Sequence, residues 1–507
     1  MSSTNSTLDI LFPAPSRAPS PLAPTPLPGV NHESTSTLQK LLKDNHERWH
    51  VFFNDRGFHN HAAHHLLAIY ALGASAPVID AAYQTHVAYQ RPAVASPGVI
   101  TIKNFSDFLG QEEYYSAYVD FFTVILRKDG AAATLEDYVF SQKANFDPAR
   151  DTDGKSPPQF LCRFVDGLFH PMIHVGYGLE FGLPGTLAEG LAQAAVHGTS
   201  SAAVIPRTLS KSNPGVVDSA VARLTSLMPS LVLTRVATMS APTTSPGTHV
   251  FTIMARMLKD PNLKIKKSEQ GDILYAGVSK THGDLILKYA EQWTLDTSDP
   301  KNLERKIEEL IWMNAVIYSI GGWSKTDGFK ADFFLMHLVT SSTFLPSITA
   351  YISPASQNAL LRAYLASSLV WWVTRGFPSL DIPGFFSSVF SLPPHNSPKQ
   401  PPDDSTLPSP TSIHALSPNP WLPIIQTTVV HPNEHLCKIQ RVFAHFAVLY
   451  GSRAAGQSDF KDTELEGADR LDGTLFVRAA AATATRLGWM REGEKAGSWD
   501  RDGFYDA

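Results

Sequence analysis

The stretch FHNHAAHHLLAIYALGA, residues 58–74, decides how the chain folds, because His59, His61, His64 and His65 enter a long apolar run without strand alternation. A run of this length, rich in Ala and Leu, reads as a buried helix. Residues three or four apart share a helix face, so His61 projects beside either His64 or His65 and the pair offers two imidazoles to one ion. The competing reading is that these rings bond backbone groups or line a helix contact.

Outward from this run the apolar spacing stays helical. Leu38, Leu41, Leu42, His46 and Trp49 form one stripe, with Ser36 or Thr37 as its N-cap. Ile307, Leu310, Ile311, Asn314, Ile317 and Tyr318 mark another face, and Ser353–Pro354 is a cap and first-turn pair before NALLRAYLASSLVWWV, which Gly376 and Pro378 stop. Strand signals are few: VIPRTL near Val204, and LVLTRVATM from Leu231, which fits a buried helix nearly as well. The expected fold is mainly α, a single large multi-helical domain with few or no short strands, and no fixed-period repeat points to a solenoid.

Two segments break the pattern. Residues 1–33 are rich in Pro, Ser and Thr and are expected as a disordered, solvated tail; residues 391–420 carry too much proline for helix and are expected as a surface insertion in a helical domain spanning 34–507.

Composition excludes several functions. At 507 residues and 43% hydrophobic the chain can bury a large core. A net charge of −5, with one short basic run at Lys264, Lys266 and Lys267, excludes a nucleic-acid partner. Cys162 and Cys437 are too few and too far apart for a disulfide scaffold, zinc ribbon or CxxC pair. No secretory signal and no run of eighteen apolar residues is present, so a cytoplasmic protein without membrane insertion is expected. Nothing in the sequence sets the oligomeric state.

Three further segments carry imidazoles among apolar residues. LFHPMIHVGYGLEFGLPG (168–185) holds His170, His174, Tyr177 and Glu180; DFFLMHLVTSSTF (332–344) holds His337; PNEHLCKIQRVFAHFAVLYG (432–451) holds His435, Lys438 and His445. Each buried ring nitrogen needs a partner, so several such segments point to one shared site. Burial also lowers a lysine pKa, and a neutral Lys438 amine can take up carbon dioxide to become an anionic oxygen ligand. Gly176, Gly178 and Gly182 have the wrong spacing for a dinucleotide turn and read as turn and close-packing glycines. There is no phosphate loop, nucleophile elbow or HExxH.

Taken in order, NHERWHVFF, FHNHAAHHLLAIYALGA, FHPMIHVGYGLEFGLPGTLAEGLAQAAVH, DFFLMHLVTSS and the closing WDRDGFYDA resemble the questin oxidase-like family, from about Asn45 to Ala507 and outside both proline-rich segments. The resemblance implies oxygen-dependent cleavage of an anthraquinone-type ring of a fungal aromatic polyketide, Baeyer–Villiger-like in outcome, sometimes with NADPH. It also implies non-haem iron (Fe) held by histidines and a carboxylated lysine. Carried onto this chain, the ligands are His61, His65, His174, His337 and Lys438. His64 is an alternative to His65, and His197 or His435 to another member. His64 and Tyr177 are the expected catalytic side chains, with Tyr70, Tyr177, Phe334, Trp371 and Trp372 as candidates to stack on a flat substrate. Two other readings stand beside this one: an NADPH-dependent monooxygenase without metal, and a helical protein that binds a polyketide without changing it.

Overall fold

Asn31 opens the first long helix with a reciprocal cap: its side chain accepts from the Ser34 N–H at 2.9 Å, and the Ser34 hydroxyl accepts the Asn31 N–H at 3.0 Å. The helix therefore starts at His32, ahead of the expected Ser36 or Thr37. The computed structural model describes residues 2–207, 247–265, 274–388 and 402–505.

The helices that frame the site are α1 (Ser2–Leu11), α2 (His32–Arg48), α3 (Ala62–Ala71), α4 (Ala76–Val87), α5 (Tyr115–Leu135), α6 (His170–Phe181), α7 (Pro184–Val196), α8 (Pro300–Ser319), α9 (Phe333–Ser342), α10 (Pro354–Thr374), α11 (Glu434–Tyr450) and α12 (Leu475–Leu487). The fold is mainly α. Among the described residues the only sheet is a two-stranded antiparallel ribbon, Trp323–Ser324 with Gly328–Phe329. The strand signal near Val204 is a 3₁₀ turn, Ala202–Val204, and LVLTRVATM lies outside the described residues. No helix of the described residues is long and apolar enough to cross a membrane.

Every residue of α3 and of α6 is buried, as expected of helices that are apolar all round and sit inside a large core. The α6–α7 hairpin is tight because glycines face the crossing: a Cβ on Gly178 would lie 2.6 Å from the Leu187 nitrogen, which is forbidden contact. That bears out the close-packing reading of Gly178. Helix α7 also lies along α5, while α11 packs on α3, α9 and α12, and α9 touches α6. The four histidine-bearing segments thus adjoin.

Helix α9 is held at its start by Asp332, whose carboxylate accepts from the Phe334 and Leu335 N–H groups, each at 2.9 Å. Arg375, just past the end of α10, donates to the same carboxylate at 2.8 Å. The Ser353–Pro354 cap and the stop at Gly376 (φ +89°) stand as the sequence indicates.

The amino-terminal segment corrects an expectation. Residues 2–33 of the expected tail at 1–33 are not solvated chain, for they contain α1 and then an extended ribbon whose backbone is bonded to the body. Ser16 N–H donates to Phe181 O at 2.9 Å, Leu27 N–H to Ala71 O at 2.7 Å, and His445 Nε2 to Leu22 O at 2.9 Å. Phe12 is fully buried, edge-on to His46. Proline forbids helix here, but an extended chain can still bury anchors and satisfy its backbone against neighbours. Of the second proline-rich segment, residues 402–420 are turns with one short helix, Ile413–Leu416.

Candidate functional site

His61 is the N-cap residue of α3 and makes no side-chain cap bond, so its ring is available to the interior. Its Nε2 faces His170 Nε2 at 2.8 Å. His435, from the first turn of α11, lies 4.7 Å from His61, ring centre to ring centre, and His337 lies 4.9 Å from His170 and 5.2 Å from His435. One ring nitrogen from each of His61, His170 and His435 lies within 4.8 Å of the other two. His337 closes the ring of four, its Nδ1 donating to Phe333 O at 2.8 Å and its buried Nε2 unpartnered among the described residues.

The backbone entering α6 is strained. Gly167, Leu168 and Phe169 all have left-handed φ values of 55°, 58° and 62°. For the two large residues this costs roughly 1–2 kcal/mol each, and strain of this kind persists where surrounding packing fixes the chain for a purpose. Here it sets His170. The Gly167 carbonyl accepts from His170 Nδ1 at 2.5 Å, which leaves His170 Nε2 for His61. A Cβ on Gly167 would meet the His197 ring at 2.3 Å. His197 in turn pairs with His59 at 2.9 Å, and His59 stacks on His170 at 4.1 Å.

Burial governs the protonation of this centre. It pushes His61, His64, His170 and His337 well below the usual imidazole range, with neighbouring rings and Lys438 adding to the effect, and His435 down to about 4. Neutral imidazoles present lone pairs, the form that binds a cation. Lys438 is fully buried, its Nζ has no hydrogen-bond partner among the described residues, and burial lowers its amine to about 8. Glu434 reaches His435 Nδ1 at 3.0 Å and His61 Nδ1 at 3.8 Å. Burial alone would raise this carboxyl, but His435, His86 and Lys438 hold it below the usual carboxylate range.

His64 belongs to a different set of bonds. Its Nε2 meets His174 Nδ1 at 3.0 Å, and His174 Nε2 meets Glu189 Oε2 at 3.0 Å. An ionised carboxylate only accepts, so a neutral His174 ring carries its proton on Nε2 and its Nδ1 accepts from His64 Nε2–H. The remaining His64 nitrogen, Nδ1, is then a buried lone pair without a partner among the described residues; the His64 ring centre lies 5.6 Å from that of His61, with Tyr177 stacked alongside at 5.1 Å.

Of the expected ligands, His61, His337 and Lys438 lie near one another, and two have other partners. His65 points away, its Nδ1 on His86 Nε2 at 3.0 Å, because it lies about 100° round the helix from His64. His174 is engaged on both nitrogens by His64 and Glu189. His197 backs His59 instead of joining. His170, His59 and Glu189 went unassigned; the FHPMIH spacing, which puts His170 and His174 one turn apart, was the available signal for His170. Of the aromatic candidates, Tyr177 adjoins His64, Tyr70 bonds Thr35, and Trp371 stacks on Tyr275 and Phe334. Trp372 packs on Phe377.

The fold and site define a helical protein enclosing a buried polyhistidine centre. The chain belongs to the questin oxidase-like family, whose model matches residues 58–443, and it is an oxidoreductase. It is 36% identical over 176 residues to a Baeyer–Villiger monooxygenase of Aspergillus aculeatus, an alignment spanning 34% of each chain. It is 29% identical over 359 residues to a Baeyer–Villiger oxidase of Pestalotiopsis fici, covering 69% of this chain and 71% of that one. A questin oxidase of Aspergillus terreus is 23% identical over 359 residues, covering 68% and 71%.

Proposed function

We propose that the chain uses dioxygen to cleave an anthraquinone-type ring of an aromatic polyketide, Baeyer–Villiger-like in outcome, at a non-haem iron held by His61, His170, His337, His435 and a carboxylated Lys438. The observation that carries this is the convergence of one ring nitrogen each from His61, His170 and His435 within 4.8 Å of one another in the core, with His337 packed against the rings of His170 and His435. The donor set fits such an ion: imidazole nitrogens suit iron, and the unpartnered nitrogens of His337, His435 and Lys438 are a cost that a ligand would remove. Carbon dioxide added to the Lys438 amine would supply the one anionic oxygen that neutral rings lack. When bound, iron supplies the one-electron chemistry that lets triplet dioxygen react with a closed-shell ring.

The protein's own groups then do the rest. His64 Nδ1, a lone pair fixed by Glu189 through His174, takes the proton of a substrate hydroxyl and makes the ring electron-rich. Tyr177 walls that side. The dry surroundings keep the imidazoles neutral and exclude water from the reacting carbon. The names of the Baeyer–Villiger relatives and of questin oxidase support the substrate class and outcome.

The test is metal analysis of purified protein with oxygen uptake on questin in its hydroquinone form. Near one iron per chain, with uptake abolished by chelation and restored by iron(II), is the expected result. Uptake that survives complete chelation and depends on NADPH would overturn the iron site; binding of questin without uptake would overturn catalysis.

A further inference from the structure

One unbroken run of hydrogen bonds leads from His64 outward. His64 Nε2 bonds His174 Nδ1 at 3.0 Å, His174 Nε2 bonds Glu189 Oε2 at 3.0 Å, and Glu189 Oε1 bonds His46 Nδ1 at 2.7 Å. His64, His174 and Glu189 are all buried. His46, at 14% side-chain exposure, lines an open cleft of about 520 Å³ between α1, α2 and α5, together with Leu11, His50, Tyr115 and Asp120.

We propose that His64–His174–Glu189–His46 is the path by which the proton taken up at the histidine centre is exchanged with solvent; it rests on the oxygenase reading above, in which His64 meets the substrate. His174, Glu189 and His46 are positioning residues, acting through His64. The transfer balances. One proton enters at His64 Nδ1, the Nε2 proton of His64 moves to His174 Nδ1, and the Nε2 proton of His174 moves to Glu189. His46 loses the proton on its outer nitrogen to water, so the net charge of the path is unchanged, and the reverse sequence returns a proton to product.

The surroundings of His46 suit an outer end. It faces Glu189 from α7, Asp120 from α5 and Glu47 from its own helix. Burial alone would lower its pKa, but the Glu189 hydrogen bond at 2.7 Å and these carboxylates raise it, which favours the protonated ring that the path needs at this end. Glu189 is held down to about 2: burial opposes this, and the bonds to His174 and His46 prevail. Once His46 gives up its proton that support weakens, and burial favours the neutral carboxyl that the path needs.

His46→Ala opens a hole in a cleft that small solutes reach. With iron-loaded protein and questin hydroquinone as probe, kcat falls roughly tenfold or more, KM is unchanged, and added imidazole restores turnover. His46→Gln, which keeps an N–H donor to Glu189 but cannot release a proton to water, shows the same loss without rescue. Nitrogen NMR of histidine-labelled, metal-free protein places the ring protons of His64 and His174 on Nε2, and Glu189→Gln removes that preference. Full turnover of both His46 variants, or rings of His64 and His174 protonated on Nδ1, overturns the path. A wild-type chain that consumes no oxygen when loaded with iron overturns the oxygenase reading instead, and the NMR result still decides the path.

Discussion

His61 and His170 face one another nitrogen to nitrogen at 2.8 Å across 109 residues of sequence. Two neutral rings in that arrangement share one proton, and a cation among them with His337 and His435 would replace it. Removing one ring of the four, His337→Ala or His435→Ala, is therefore expected to cut iron affinity by more than the roughly 10- to 100-fold that loss of a partner behind a ligand costs. Elemental analysis after dialysis against graded chelator reads this, and an unchanged far-ultraviolet circular dichroism spectrum shows that the fold survives.

Lys438 tests the anionic ligand. Lys438→Ala should abolish oxygen uptake, with partial return in added formate or acetate, which supply the missing oxygen anion. In the wild type, carbon-13 bicarbonate should give a carbamate resonance that is absent from the variant. Full turnover and iron content in Lys438→Ala would remove it from the site.

His65 serves as the contrast. It pairs with His86, whose other nitrogen meets the Tyr89 hydroxyl at 2.6 Å. His65→Phe is expected to keep its iron while losing about 1–3 kcal/mol of stability, because His86 loses a buried partner. Loss of iron at unchanged melting temperature would return His65 to the ligand set.

The His46–Glu189 pair makes a pH-dependent contribution to stability. His46 has a raised pKa, so its share is complete below 6.5 and is lost as the pH rises through the raised value. Glu189 is lowered to about 2, so its share is complete above 4.5 and is lost as the pH falls toward 2. The stability difference between wild type and Glu189→Gln should thus be largest between 4.5 and 6.5, on the order of 1–3 kcal/mol, and shrink on both sides. Denaturant melts across pH measure it; a difference independent of pH would contradict the pair.

Gly167 should tolerate no side chain. A Cβ there meets the His197 ring at 2.3 Å in a left-handed backbone, so Gly167→Ala must move either that ring or the carbonyl that orients His170. The expected result is weaker iron binding with a destabilisation of about 1–2 kcal/mol or more. Wild-type iron affinity in Gly167→Ala would show that the turn does not position His170.

Local chemistry made much of this chain legible. The Ser353–Pro354 cap, the Gly376 stop, the buried face from Ile307 to Tyr318 and the helical character of residues 62–71 all follow from interactions within a few residues, which sequence records directly. That histidines on separate helices have partners inside the protein also followed, since a buried ring nitrogen without one is costly. Which rings meet did not. His64 and His65 are adjacent and equally buried, and only the helices packed against them turn one toward His174 and the other toward His86. His170 depends on a left-handed turn held by packing, and Phe12 on a groove that residues far along the chain create. Sequence determined the helices and the imidazoles they carry; tertiary packing decided the partners, because contacts between distant segments are set by the shape of the whole core.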